Sequence, residues 1–191
     1  MRQILTILTL VLTFGLQNLK AQQGEINATF DKYIEATKSE DLEEQLDYYH
    51  PEIFNHFPKD TFLLAFEMLK SNPMLQVGNE KLVSISEIYS ENSSSYALLT
   101  FTQEMSMDMS NMKDQGGSST AISYMLVDLK QQHGEDNVKF DDELYLVKIT
   151  LTNLFYAILE QSSEEWKFLP KDDDSKSIIE NIIPVTIRKK I

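Results

Sequence analysis

Two polar residues stand out for the company they keep. Glu87 follows Val83 and Ile85 and precedes Tyr89 at two-residue spacing; Gln103 sits between Leu99 and Phe101 on one side and Met105 and Met107 on the other. A carboxylate among apolar groups favours its protonated form and can serve as a general acid or base. The plainer reading of Glu87, and the favoured one, is a strand-end side chain that reaches water. A register slip of one residue also exchanges every inward and outward group. Met105, Met107, Met109 and Met112 form a dense cluster. Thioethers are soft ligands that suit Cu(I), but no histidine lies nearby in sequence. An adaptable apolar lining fits the methionines better.

The remaining candidates are weaker. His50 and His56 are six residues apart, and His133 stands alone. A catalytic zinc takes three protein ligands, and no His-Glu-x-x-His is present. His50, before Pro51, reads as a helix C-terminal histidine that complements the dipole. The acidic runs Asp172-Asp173-Asp174 and Asp141-Asp142-Glu143 lack the calcium-loop pattern of alternating acids, glycine and a distant glutamate. Asp174 or Ser175 is better explained as a helix cap. There is no Gly-x-Ser-x-Gly elbow and no phosphate-binding glycine loop, and Gly116-Gly117 reads as loop punctuation. No metal and no cofactor is expected.

These residues must be positioned by regular elements. Ile26, Phe30, Tyr33, Ile34 and Thr37 share one face of an amphipathic helix. Ser39 is placed to cap a second helix with the stripe Leu42, Leu46 and Tyr49, ended at His50-Pro51. Ile53-Phe54 is a brief apolar step. Asp60 then caps a third helix carrying Phe62, Leu63, Phe66 and Leu69 and stopped at Asn72-Pro73. After Pro73 the period changes to two. Residues 82–89 read as a strand, residues 91–95 as a polar turn, and residues 96–108 as a long strand with its odd residues inward. Residues 120–132 have helical spacing. Residues 109–120 and 133–143 read as loops or insertions. Residues 144–151 and 154–160 read as two strands, or as one strand bent near Asn153; residues 166–169 are a short strand, and a last helical turn runs to Ile183 before Pro184. Helices grouped against an antiparallel sheet indicate an α+β fold.

Composition bounds the class. Met1-Arg2, an apolar run from Ile4 to Leu16 and Leu19-Lys20-Ala21 have the layout of a signal peptide. The run is too short for a comfortable span of about 20 residues. Residues 1–21 are therefore expected to be removed, leaving residues 22–191 as one α+β domain, periplasmic or secreted. The chain has no cysteine, which excludes disulfides and thiolate chemistry. Its net charge of −13 argues against nucleic acid and anionic membranes. No second apolar run is long enough to span a bilayer.

The first helix (residues 26–37), the acidic second helix, the step Tyr48-Tyr49-His50-Pro51-Glu52-Ile53-Phe54, the helix ending before Pro73, the hairpin of residues 82–107 and the strand Glu165-Trp166-Lys167-Phe168 together resemble the nuclear-transport-factor-2-like superfamily, which includes SnoaL-like and ketosteroid isomerase-like proteins. The resemblance covers most of residues 25–170, with residues 120–143 as a departure. It implies N-terminal helices packed on a strongly curved, mostly antiparallel sheet that forms a cone, here with a helical insertion. It implies no single activity. The catalytic motifs of the isomerases do not match residue by residue. The expected function is non-catalytic binding of an apolar small molecule or a protein partner. The cavity would lie between the first helix and the hairpin and be lined by Tyr33, Glu87, Phe101, Gln103, Met105 and Met107. The alternatives are a small acid/base enzyme of isomerase or hydrolase type in the same cavity, or assembly as a homodimer.

Overall fold

The computed structural model describes residues 2–39, 41–113 and 118–191, without the side chains of residues 2–19 and 118. Gly116-Gly117 lies outside the described residues. The helices are α1 (Arg2–Lys38), α2 (Leu42–Leu46), α3 (Ile53–His56), α4 (Lys59–Ser71), α5 (Ser118–His133), α6 (Lys176–Ile182) and α7 (Val185–Arg188). The strands are β1 (Leu75–Ile85), β2 (Tyr89–Glu91), β3 (Ser94–Asp108), β4 (Val138–Asp141), β5 (Leu146–Leu159) and β6 (Lys167–Pro170). They form one six-stranded sheet in the order β1-β3-β5-β4, with β2 also on β3 and β6 also on β5. The fold is α+β with an antiparallel sheet.

Residues fall into two compact units, each assembled from separate stretches of chain. Unit 1 takes Met1–His56, Ile85–Leu99 and Phe155–Ile191; unit 2 takes Phe57–Ser84 and Thr100–Leu154.

In unit 1, the expected face of α1 is buried: Ile26 0%, Phe30 1%, Tyr33 6% and Ile34 8% exposed. Phe30 meets Phe168 edge-on at 6.1 Å between ring centres, and Tyr33 meets Phe155 and Phe168 at 5.7 and 5.9 Å. Edge-to-face contacts of this kind add to the stabilisation from apolar burial. The second helix is capped by Asp41 rather than Ser39. The Asp41 carboxylate accepts from the N–H groups of Glu43 and Glu44, while Ser39 Oγ donates to the Ala36 carbonyl and finishes α1 instead. Residues 48–50 do not continue α2. They lie along β6, with His50 N donating to Phe168 O and Phe168 N donating to Tyr48 O, both at 2.8 Å. The turn between β2 and β3 is Asn92-Ser93, both with positive φ, between the paired residues Glu91 and Ser94. That is the two-residue turn whose twist matches a hairpin.

In unit 2, Val138, Val147 and Ile149 form a buried core, with Met125, Leu126 and Leu129 of α5 and Met105, Met107 and Leu151 packed against it. Residues 133–143, read from sequence as a loop, include β4, which pairs with β5 in the register Val138↔Ile149 and Phe140↔Val147. Between them, α5 stops at Gly134, whose φ of +93° turns the chain out of the helix. Of the two readings offered for residues 144–160, the single strand holds: β5 runs unbroken from Leu146 to Leu159.

Candidate functional site

The residues expected to line one cavity are distributed between the units. Tyr33 and Glu87 belong to unit 1, whereas Phe101, Gln103, Met105 and Met107 belong to unit 2. Tyr33 is closely packed: its ring lies near those of Phe30, Tyr48, Tyr49, Phe155 and Phe168, and its hydroxyl is 3.2 Å from that of Tyr49. Burial and the neighbouring Tyr33 push the Tyr49 phenol well above its ordinary pKa, so the Tyr49 hydroxyl stays neutral. Glu87 lies between β1 and β2, is exposed, and accepts from the Tyr89 hydroxyl at 2.9 Å. It is the water-reaching strand-end group that the plainer sequence reading favoured. Of four pockets lined by described residues, none includes any of these six side chains.

The chemistry in unit 2 gathers at Gln103. Its amide nitrogen donates to Glu80 Oε1 at 2.9 Å, and its amide oxygen accepts from Asn153 Nδ2 at 3.5 Å. Glu80, Gln103 and Asn153 come from β1, β3 and β5, which are neighbours in the sheet, so the three side chains form a polar row across it. Residues two apart on a strand share a face. Gln103 therefore shares its face with buried Phe101 and with Met105 and Met107, and Asn153 shares its face with Leu151. Along β3 and β5, the row's neighbours on this face are apolar.

Glu80 Oε2 is buried and has no hydrogen-bond partner among the described residues. A buried acceptor left unpaired costs about 1–3 kcal/mol, so this oxygen calls for a donor. Sequence reading missed Glu80 because Asn79, at φ +56°, interrupts β1 one residue earlier. A left-handed residue inside a strand breaks the alternation from which facing is inferred. Asn79 itself donates to Glu104 Oε2 at 2.9 Å.

The methionines have a second duty. Met105, Met107 and Met109 all pack on the Val138–Val147–Ile149 core. No group of three or more histidine, aspartate or glutamate side chains able to hold a metal ion occurs among the described residues.

In unit 1, His50 is 4% exposed. Its Nδ1 accepts from the Glu52 N–H at 3.3 Å, and its Nε2 lies 3.3 Å from Glu160 Oε1. Burial lowers its pKa below 6.5, partly offset by Glu160, so the ring is neutral at pH 7 with its proton on Nε2. A neutral ring does not provide the dipole-complementing charge expected from sequence. With both nitrogens engaged, His50 offers no free lone pair for base chemistry.

No protein-family model matches the chain, and no curated protein matches it.

Proposed function

We propose that the chain is an exported binding protein of the nuclear-transport-factor-2-like kind. In this reading residues 1–21 are removed, the sheet is curved into a cone, and α5 is an insertion. Its ligand is an apolar small molecule bearing a hydroxyl or ammonium group. The observation that carries this reading is Glu80 Oε2, a buried acceptor without a donor beside apolar side chains. Binding sites of this type are mostly apolar, with a few placed polar groups that fix orientation. Gln103 and Asn153 hold the carboxylate in position, and Phe101 and the methionine edge supply apolar surface. The remaining chain would keep buried Ile26 and Phe30 and Gln23, whose Nε2 donates to Ser86 O at 3.1 Å. The acid/base enzyme is the second reading, with Glu80 in place of Glu87. The row supports it less well, because its other two members are amides that do not titrate.

The test is a thermal-shift screen of lipophilic alcohols and amines against their methylated or acetylated counterparts. A ligand that binds only the folded state raises the melting midpoint. Alcohols or amines are expected to give saturable stabilisation that their blocked counterparts do not. Glu80→Gln should weaken binding about 10- to 100-fold, the range for a hydrogen bond to a charged group. Equal response to blocked compounds, or full affinity in Glu80→Gln, would sink the proposal. Charged replacements at Met105 and Met107 are unsuitable as probes, since both residues pack on the core of unit 2.

A further inference from the structure

A second site, independent of the Glu80 row, lies wholly within unit 1. A groove of about 620 Å³ is bounded by α1, the end of α2 and the approach to β6. That volume is in the range of about 300–1,000 Å³ typical of ligand sites. On α1, Glu25, Ala28, Thr29 and Lys32 line it at spacings of three, one and three, which keeps them on one helical face. Glu44 and Asp47 come from the other side, and Glu164 and Glu165 from the turn before β6. Five carboxylates thus face two ammonium groups, Lys32 and Lys167. Lys167 is already committed, to the Asp47 carbonyl at 2.9 Å and to Glu165 Oε2 at 3.1 Å.

Acidic side chains on an acidic protein do not make a site. The independent observation is Trp166, which lines the same groove. It is 2% exposed, and its indole Nε1 has no hydrogen-bond partner among the described residues. A buried tryptophan N–H normally finds an acceptor. Tyr48 forms a further part of the wall. Its phenol pKa is raised by burial first and then by Glu44, Glu165 and Asp47, which registers the negative potential there. The acids are not grouped tightly enough to hold a metal ion, as no such cluster occurs among the described residues. The occupant must bring spread positive charge together with a hydrogen-bond acceptor.

We propose that this groove binds a basic peptide segment of a partner protein, with a lysine or arginine side chain among the carboxylates and a main-chain carbonyl accepting from the Trp166 indole N–H. A peptide supplies both groups in one chain, whereas a simple polyamine has the charge and lacks the carbonyl. Grooves lined by one sign of charge concentrate oppositely charged partners and lose that effect as salt rises.

Trp166 is the only tryptophan in the chain, so its emission reports on this groove alone. The experiment titrates the full protein with a short blocked Lys-Gly peptide, its Glu-Gly counterpart and spermine, following emission and heat at low and moderate salt. The basic peptide is expected to give a saturable emission change that weakens as salt is raised. Trp166→Phe should reduce affinity by calorimetry about 2- to 10-fold, the loss of one hydrogen bond. Glu25 and Glu164 are exposed, so Glu25→Gln with Glu164→Gln tests the charge without disturbing the core, and should weaken the peptide. No saturable change with the basic peptide overturns the proposal. So does equal binding of the acidic peptide, unchanged affinity in the double variant, or spermine matching the peptide while Trp166→Phe leaves peptide binding intact.

Discussion

His50 makes the stability of unit 1 depend on pH in a defined direction. Its folded pKa is depressed below 6.5 by burial, so the unfolded chain takes up the proton more readily. Its contribution is complete above pH 6.5 and is lost as pH falls from there through the folded value. The melting midpoint of the protein should therefore fall between about pH 7.5 and 5 by more than that of His50→Gln, which has no imidazole to titrate. Parallel curves would show that His50 contributes nothing to the acid response. Phe30 gives a plainer expectation. At 1% exposure and in edge contact with Phe168, its replacement by alanine should cost about 3–5 kcal/mol in denaturant unfolding. A loss below about 1 kcal/mol, as for a surface position, would put it outside the core. The α1 face was legible at this scale because its period of 3.6 marks a buried stripe without reference to partners. Glu80 was not, because its partner Gln103 lies 23 residues further along the chain, and Asn153, which completes the row, lies another 50 beyond Gln103.

Among the elements, α4 and β5 mark opposite ends of local stability. No residue of α4 is buried, and Leu64 and Met68 are 58% and 65% exposed. Phe155, Tyr156, Ala157 and Ile158 of β5 are all buried and pair with β6. Segments with few buried apolar contacts open at low free energy, and core strands open only with global unfolding. Amide exchange should thus be fast across residues 59–71 and slowest across residues 155–158. Comparable protection in the two segments would mean that α4 is covered in solution. The same contrast explains which elements were readable. β3 and α5 announce themselves by long periodic runs. β4 has four residues, and only its register with β5 makes it a strand. Pro184 was read as a stop, yet it also starts α7, where its carbonyl accepts from Ile187 N and Arg188 N. Proline fits a helix start because its missing N–H would be unsatisfied there in any case.

At the scale of the whole chain, charge and the absence of cysteine were plain from composition, and so was an α+β class with an antiparallel sheet. The division into two units was not legible, since each collects stretches far apart in sequence. Unit 1 has a consequence for how the protein is made. Its buried residues include Ile26 and Phe30 of α1 and, far along the chain, Phe168, Ile178, Ile183 and Ile187, all at most 1% exposed, with Phe30 against Phe168. Beyond the last of these, Lys190 stands over the Tyr89 ring at 4.8 Å. A growing polypeptide folds as its segments emerge from the ribosome, but this half lacks part of its interior until residues 178–187 have been made. Nascent chains stalled short of residue 176 should leave residues 20–56 open to protease, whereas the protein that includes residues 176–191 resists cleavage there. Protection of the stalled chain would show that the C-terminal isoleucines are dispensable for closure. Until those residues emerge the chain stays threadable, a state in which a protein can still pass through a narrow translocation channel.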